Sequence, residues 1–201
     1  MAPHPLFQQA LGEDWERLHP VVRKHYDLTP GQDQEITLQG IMHEVDHAWF
    51  AKLILLAGRV FGALIPHKGN NVATTVRNWT ESHDVLNMHW HRTFFFPGSR
   101  PIVFASRMAY LGGNEIIEYV RFGLGIRMRL SVLAGVLVYE SRGYQWDVGG
   151  ISIRIPDWLL LGSGRVTECG LSDNEFRMAF QMHHPIFGKT FSYTGNFFIQ
   201  P

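Results

Sequence analysis

From Glu35 onward apolar and polar residues alternate, the period of a half-buried strand. Ile36, Leu38 and Met42 share one parity, then Val72, Thr74 and Val76, then Leu86, Met88, Trp90, Phe94 and Phe96. The pattern recurs through Ile102, Phe104 and Met108, through Ile116, Val120 and Phe122, and through Ile126, Met128, Leu130 and Val132. Shorter stretches carry Val136 with Val138, Ile151 with Ile153 and Ile155, and Val166 with Glu168. Phe176, Met178, Phe180 and Met182, then Phe191, Tyr193, Phe197 and Ile199, close the chain. Gly112-Gly113, Ala134-Gly135, Gly149-Gly150, Ser172-Asp173-Asn174 and Phe187-Gly188 supply turns at the spacing of an antiparallel meander. The prediction is a mainly β fold of about 9–11 strands, a curled antiparallel sheet or a closed, calycin-like barrel, because so long a sheet curls.

Two stretches break the alternation. Residues 1–30 have helical spacing, with Leu6, Phe7, Ala10 and Leu11 on one face and Pro20 at the first turn of a second helix. Residues 48–65 read as one apolar helix, with Lys52 and Arg59 seven apart on a narrow polar stripe. Those charges and two glycines argue against a membrane span. A mostly buried helix is the expectation, with contact at a membrane surface as the alternative. No linker or repeat divides the chain, so residues 1–201 are expected to form a single domain.

Composition narrows the function classes. Eighteen basic residues balance eighteen acidic ones, which removes a global field for nucleic acid or anionic lipid, so neither is an expected partner on overall charge. Within that balance arginine outnumbers lysine 14 to 4, and there are 11 histidines. Cys169 is the single cysteine and reads as a buried or bystander thiol. With no signal-like N-terminus, a cytoplasmic location is expected.

Parity then singles out polar residues on apolar faces. Arg92 shares a face with Trp90 and Phe94, Glu118 with Ile116 and Val120, and Glu168 with Val166. His184 follows Met182, and Tyr193 lies between Phe191 and Phe197. An unpaired interior charge is costly, so Arg92 needs a carboxylate, and Glu118 and Glu168 are the candidates. Three readings fit: a buried ion pair that fixes register, a bulge that turns these charges to solvent, or a polar cluster in a ligand cavity. On the last, Trp90, Phe94, Met88, Phe180, Met182 and Phe191 would contact the ligand.

His43-Glu44-Val45-Asp46-His47 matches the zinc-hydrolase pattern H-E-x-x-H, which requires a helix. In an extended chain the two imidazoles would be about 13 Å apart. No metal or other cofactor is therefore expected.

Several short elements resemble a mainly bacterial family, the domain of unknown function 4166. They include Leu6-Phe7, Leu11-Gly12, Leu18 to His25, and Gly40. Trp90-His91-Arg92-Thr93-Phe94 is similar to the family's W-x-R-x-F element, and Glu118 with Phe122-Gly123 to its E-x-F-G-type strand. Ile155-Pro156 with Leu159 and Leu160, Glu168, then Pro185, Gly188, Tyr193 and Gly195 complete the resemblance. It implies no established activity. It does imply that Arg92, Glu118, Glu168 and Tyr193 occupy family-pattern positions, and that a saccharopine-dehydrogenase-like reductase is a candidate partner. A homodimer is a further expectation.

The leading functional expectation is a module that binds an apolar or amphipathic small molecule in a barrel cavity. The alternative is a cofactor-independent acid–base isomerase or cyclase using Glu118, Glu168, Arg92, Tyr193 and His184. Zinc hydrolysis through His43, Glu44 and His47 is the weakest.

Overall fold

The computed structural model describes residues 4–62 and 65–200. Two short helices, α1 (Leu6–Leu11) and α2 (Pro20–His25), flank a 3-10 segment at Gly12–Arg17. Strand β1 (Gln34–His47) leads to α3 (Ala51–Gly58), and then come β2 (Gly69–Glu81), β3 (Asp84–Phe95) and β4 (Ile102–Gly112). The remaining strands are β5 (Glu115–Tyr119), β6 (Leu124–Leu133), β7 (Val136–Val148), β8 (Ile151–Ile155), β9 (Ser163–Gly170), β10 (Glu175–His184) and β11 (Gly188–Ile199).

All pairings between these strands are antiparallel, in the order β6-β5-β4-β3-β2-β1-β11-β10-β9-β7-β8. β6 also pairs with β7, so ten strands close a barrel and β8 remains outside it. The reason is a division along β7: Leu137–Glu140 pair with β9, whereas Tyr144–Val148 pair with β8. At the β1–β11 seam, Gly40 lies opposite Phe197, whose ring would sit 2.5 Å from any Cβ added to the glycine.

The barrel has two unlike ends. Helices of six residues are not stable alone, and α1 and α2 hold their form by burying Leu6, Phe7, Val21 and Val22 against the barrel. Backbone bonds from His19 N to Gly135 O and from Gly31 N to Asp84 O fasten this segment to one end. At the other end lie α3, the short 3-10 turns at Arg121–Gly123 and Asp157–Leu159, and the β10–β11 turn. The Phe50 and Phe187 rings meet there at 5.0 Å, and Phe61 meets Phe122 at 6.0 Å.

Several local expectations need correction. The apolar helix ends at Gly58 rather than running through 48–65, continuing as turns to Gly62, which adopts φ +70°. Ala63 and Leu64 lie outside the described residues. Nor is that helix mostly buried, since only Ala51 and Leu55 are fully enclosed. Leu86 is 69% exposed, because the backbone N–H groups of Leu86 and Asn87 bond the Asp84 carboxylate at the start of β3. Phe122 is exposed in the left-handed turn after β5. On β7, Tyr139 is buried alongside Leu137 and Val138, so the strand hides both faces. The apolar face of β8 is largely exposed because β8 stands off the barrel. Cys169 is exposed.

Candidate functional site

Five parity-selected residues were expected to turn inward, and all five do. Arg92 on β3 is 5% exposed and Glu168 on β9 is 1% exposed, with Tyr193 and His184 also buried. Glu118 on β5 is nearly so. β4 separates β3 from β5, and Ser106 on β4 fills the gap. Arg92 Nη1 donates to Glu118 Oε1 at 2.8 Å and to Ser106 Oγ at 3.1 Å, and the Ser106 hydroxyl donates to Glu118 Oε1 at 2.6 Å. The guanidinium lies over the rings of Trp90 and Phe104, 4.3 and 4.8 Å from their centroids. Stacked cation and carboxylate together offset the cost of burying the charge.

Glu168 does not pair with Arg92. Tyr26, directly after α2, donates to Glu168 Oε1 at 2.7 Å, and Tyr139 on β7 donates to the Tyr26 hydroxyl. His25 Nδ1 lies 3.5 Å from Glu168 Oε2. Asn78 Nδ2 is 2.7 Å from His25 Nε2, an arrangement in which the amide donates and the ring nitrogen accepts, while His25 Nδ1 makes no hydrogen bond among the described residues. Burial and the Glu168 charge push both Tyr26 and Tyr139 well above the ordinary tyrosine range, so both remain hydrogen-bond donors. Burial likewise raises Tyr193 to about 12.

These groups border a space of about 240 Å³ inside the barrel. Trp90, Arg92, Glu118, Tyr139, Glu168 and Tyr193 lie on its wall, Tyr26 meets it from the helical end, and Ile54, Ala57 and Phe61 cover it from the α3 end. Most of the remaining lining is apolar, including Met108, Ile126, Val166 and Met178. Of the expected ligand contacts, Trp90, Phe180 and Met182 line this space, whereas Met88, Phe94 and Phe191 are packed into the core away from it. Three lining residues carry a buried polar atom with no hydrogen-bond partner among the described residues: Trp90 Nε1, Arg92 Nε and Glu168 Oε2.

His184 is not part of this cluster. Its Nε2 contacts Trp158 O at 2.8 Å, and its Nδ1 accepts the backbone N–H groups of Ile186 and Phe187, which fixes the β10–β11 turn. The H-E-x-x-H segment lies in β1, with a bulge between Met42 and Glu44. That extra residue inverts parity, leaving His43 exposed and His47 buried against the Ala48 and Pro66 carbonyls. The helical geometry that a shared zinc requires is absent, and among the described residues no three metal-ligating side chains converge.

Sequence parity missed four participants. Ser106 shares its face with Phe104 and Met108 and was legible by the same test. Tyr139 was hidden by assigning β7 the opposite face, and His25 and Tyr26 by the absence of any strand period in the helical segment.

Residues 18–197 match the family described as Domain of unknown function (DUF4166). The chain belongs to this family. The DUF4166 match includes His25 and Tyr26 as well as Arg92, Glu118 and Glu168, whereas the Leu6 to Gly12 part of the resemblance lies outside it. The chain is also 27% identical over 200 residues to "Uncharacterized protein YndH" of Bacillus subtilis (strain 168), covering 92% of each sequence. No solved structure matches. Among the described residues no helix of this DUF4166 chain is long and apolar enough to cross a membrane.

Proposed function

We propose that this protein holds one small amphipathic molecule inside its barrel, the apolar body beneath α3 and the polar group against Trp90, Arg92 and Glu168. The observation that carries this reading is the coincidence of an apolar-lined space with three buried polar atoms that have no hydrogen-bond partner among the described residues. An apolar cavity of about 150 Å³ in a protein accepts benzene, so by proportion 240 Å³ has room for about ten non-hydrogen atoms. Trp90 Nε1 and Arg92 Nε only donate and the Glu168 carboxylate only accepts, so a hydroxyl, with one donor and two acceptor sites, is their complement. A carboxylate head group would meet two acidic side chains against one guanidinium and is disfavoured. The preferred ligand class is a medium-chain or short isoprenoid alcohol.

Displacement of an environment-sensitive dye by decanol, decanoic acid and decane tests the reading. Decanol should compete best, and the preference over decane should shrink in Glu168→Gln. Equal weak competition by all three would overturn it.

One observation favours a second reading, acid–base isomerisation or cyclisation of a hydrophobic substrate. The Tyr139–Tyr26–Glu168 chain is a hydrogen-bonded route that ends on a carboxylate at the wall of the space. In that case Glu168→Gln would abolish turnover while the ligand stays bound.

A further inference from the structure

The α3 end of the barrel carries a belt of apolar side chains turned outward. Trp49 is 84% exposed and Trp158 is 57% exposed, and Leu53, Val60, Phe122 and Ile186 are exposed with them. Their supports touch one another. Phe50 packs on Phe187 at 5.0 Å and on Trp49 at 5.9 Å, while Phe61 packs on Phe122 at 6.0 Å. His184 holds the Trp158 carbonyl and the 186–187 backbone together. Trp49 and Trp158 therefore belong to one connected surface, drawn from four separate segments.

The same surface is cationic. Lys52 and Arg59 stand on and just after α3, and Arg59, Arg100, Arg121 and His67 line an open polar cleft beside it. Among the described residues, Lys52, Arg59, Arg100 and Arg121 make no ion pair with a carboxylate. The Arg121 side chain lies against Gly62, where a Cβ would come within 3.1 Å of it, so the cation is held next to the α3 turn. Partial burial and the positive charges of Arg59 and Lys52 together hold the His67 imidazole below its usual range, consistent with a positive local potential.

We infer that this end of the barrel docks on an anionic lipid bilayer, with Trp49, Leu53, Val60, Phe122 and Trp158 entering the interface and Lys52, Arg59, Arg100 and Arg121 meeting lipid phosphates. Tryptophan suits the depth where hydrocarbon gives way to head groups, and unpaired cations around apolar side chains complement an anionic membrane surface. Ile54 and Ala57 of α3 and Phe61 just after it line the interior space. Docking places that helix between bilayer and cavity, the position from which an amphipathic molecule could pass from one to the other. The docking stands on exterior residues alone. Its link to ligand transfer rests on the function proposed above.

Flotation of the intact protein with vesicles of phosphatidylcholine, alone or mixed with phosphatidylglycerol, tests the inference. Binding is expected only with phosphatidylglycerol present and should fall with added salt. Each neutralisation in Arg59→Gln and Arg121→Gln should weaken it about fivefold. Trp49→Ala with Leu53→Ser should abolish it while leaving dye displacement by decanol unchanged, which separates failure of docking from failure of the cavity reading. All four side chains are exposed or lie at the cleft, and an unchanged melting temperature confirms folding. Two results overturn the inference: no vesicle binding by the unaltered protein, or self-association that Trp49→Ala with Leu53→Ser disperses, which assigns the belt to a second copy of the chain.

Discussion

Tyr26 donates a hydrogen bond to Glu168 across 142 residues of sequence, at 2.7 Å and in a fully buried setting. The bond ties the N-terminal helical segment to the barrel interior. It also helps explain why a carboxylate at 1% exposure is tolerated, since Tyr26 arrives from the end of α2 to donate to it.

Removing that donor should be costly. Tyr26→Phe leaves the buried Glu168 Oε1 without its partner, and a loss of about 1–3 kcal/mol is expected in urea denaturation. Tyr139→Phe should cost less, because its hydroxyl donates to Tyr26 rather than to the charge. If the bond carries this stability, combining Tyr26→Phe with Glu168→Leu will cost less than the sum of the single changes. Strict additivity would mean that the two side chains do not cooperate.

The Arg92–Glu118 pair should behave in the same way. Arg92→Leu strands Glu118 with Ser106 as its one remaining donor among the described residues, and Glu118→Leu strands the guanidinium among aromatic rings. Each should lose about 3–5 kcal/mol, and the double substitution should regain most of it, because an apolar pair needs no desolvation to be offset. Unfolding free energies of the four proteins in this cycle decide the point.

Strand parity was enough to bring Arg92, Glu118, Glu168 and Tyr193 to one interior, because in a closed barrel one face of each strand has nowhere else to go. It could not say which carboxylate Arg92 meets. That depends on β4 lying between β3 and β5 and offering Ser106, a neighbour relation the pattern of one chain does not contain. His184 shows the opposite limit, since correct parity placed it inward but its position at the strand end committed it to a turn. Likewise one bulged residue after Met42 was invisible in sequence and decided the fate of His43 and His47. The helical segment was legible as helix, but its delivery of His25 and Tyr26 into the barrel depends on docking.

At high pH the buried tyrosines should govern stability. Burial raises Tyr193 to about 12, with Glu118 and Glu168 reinforcing the shift and Arg92 opposing it. In the unfolded chain a tyrosine ionises near 10. The folded state therefore holds this proton more tightly, so its contribution is complete below about pH 10 and is lost as pH rises towards about 12. Across that window one such group gives a slope of about 1.4 kcal/mol per pH unit. Tyr119, also raised to about 12, chiefly by burial and its bond to Asp147, keeps its own share in Tyr193→Phe. Denaturation midpoints at stepped alkaline pH should thus fall less steeply in Tyr193→Phe than in the unaltered protein, and identical slopes would contradict the assignment.

Filling the interior should separate binding from folding. Ile126 and Val166 line the space and are only partly buried, so there is room beside them for a larger side chain. Overpacking a full core costs about 1–3 kcal/mol, whereas Val166→Phe grows into vacant volume and should shift stability by less than about 1 kcal/mol. Ile126→Ala works in the opposite direction, enlarging the space and lowering stability by about 2 kcal/mol or more. Decanol should cease to displace dye from Val166→Phe, whereas Ile126→Ala should accept longer alcohols than the unaltered protein does. Thermal melting and dye displacement on the same samples read both effects. Full decanol binding in a stably folded Val166→Phe would place the ligand outside the barrel, because the side chain and the alcohol body cannot occupy the same volume.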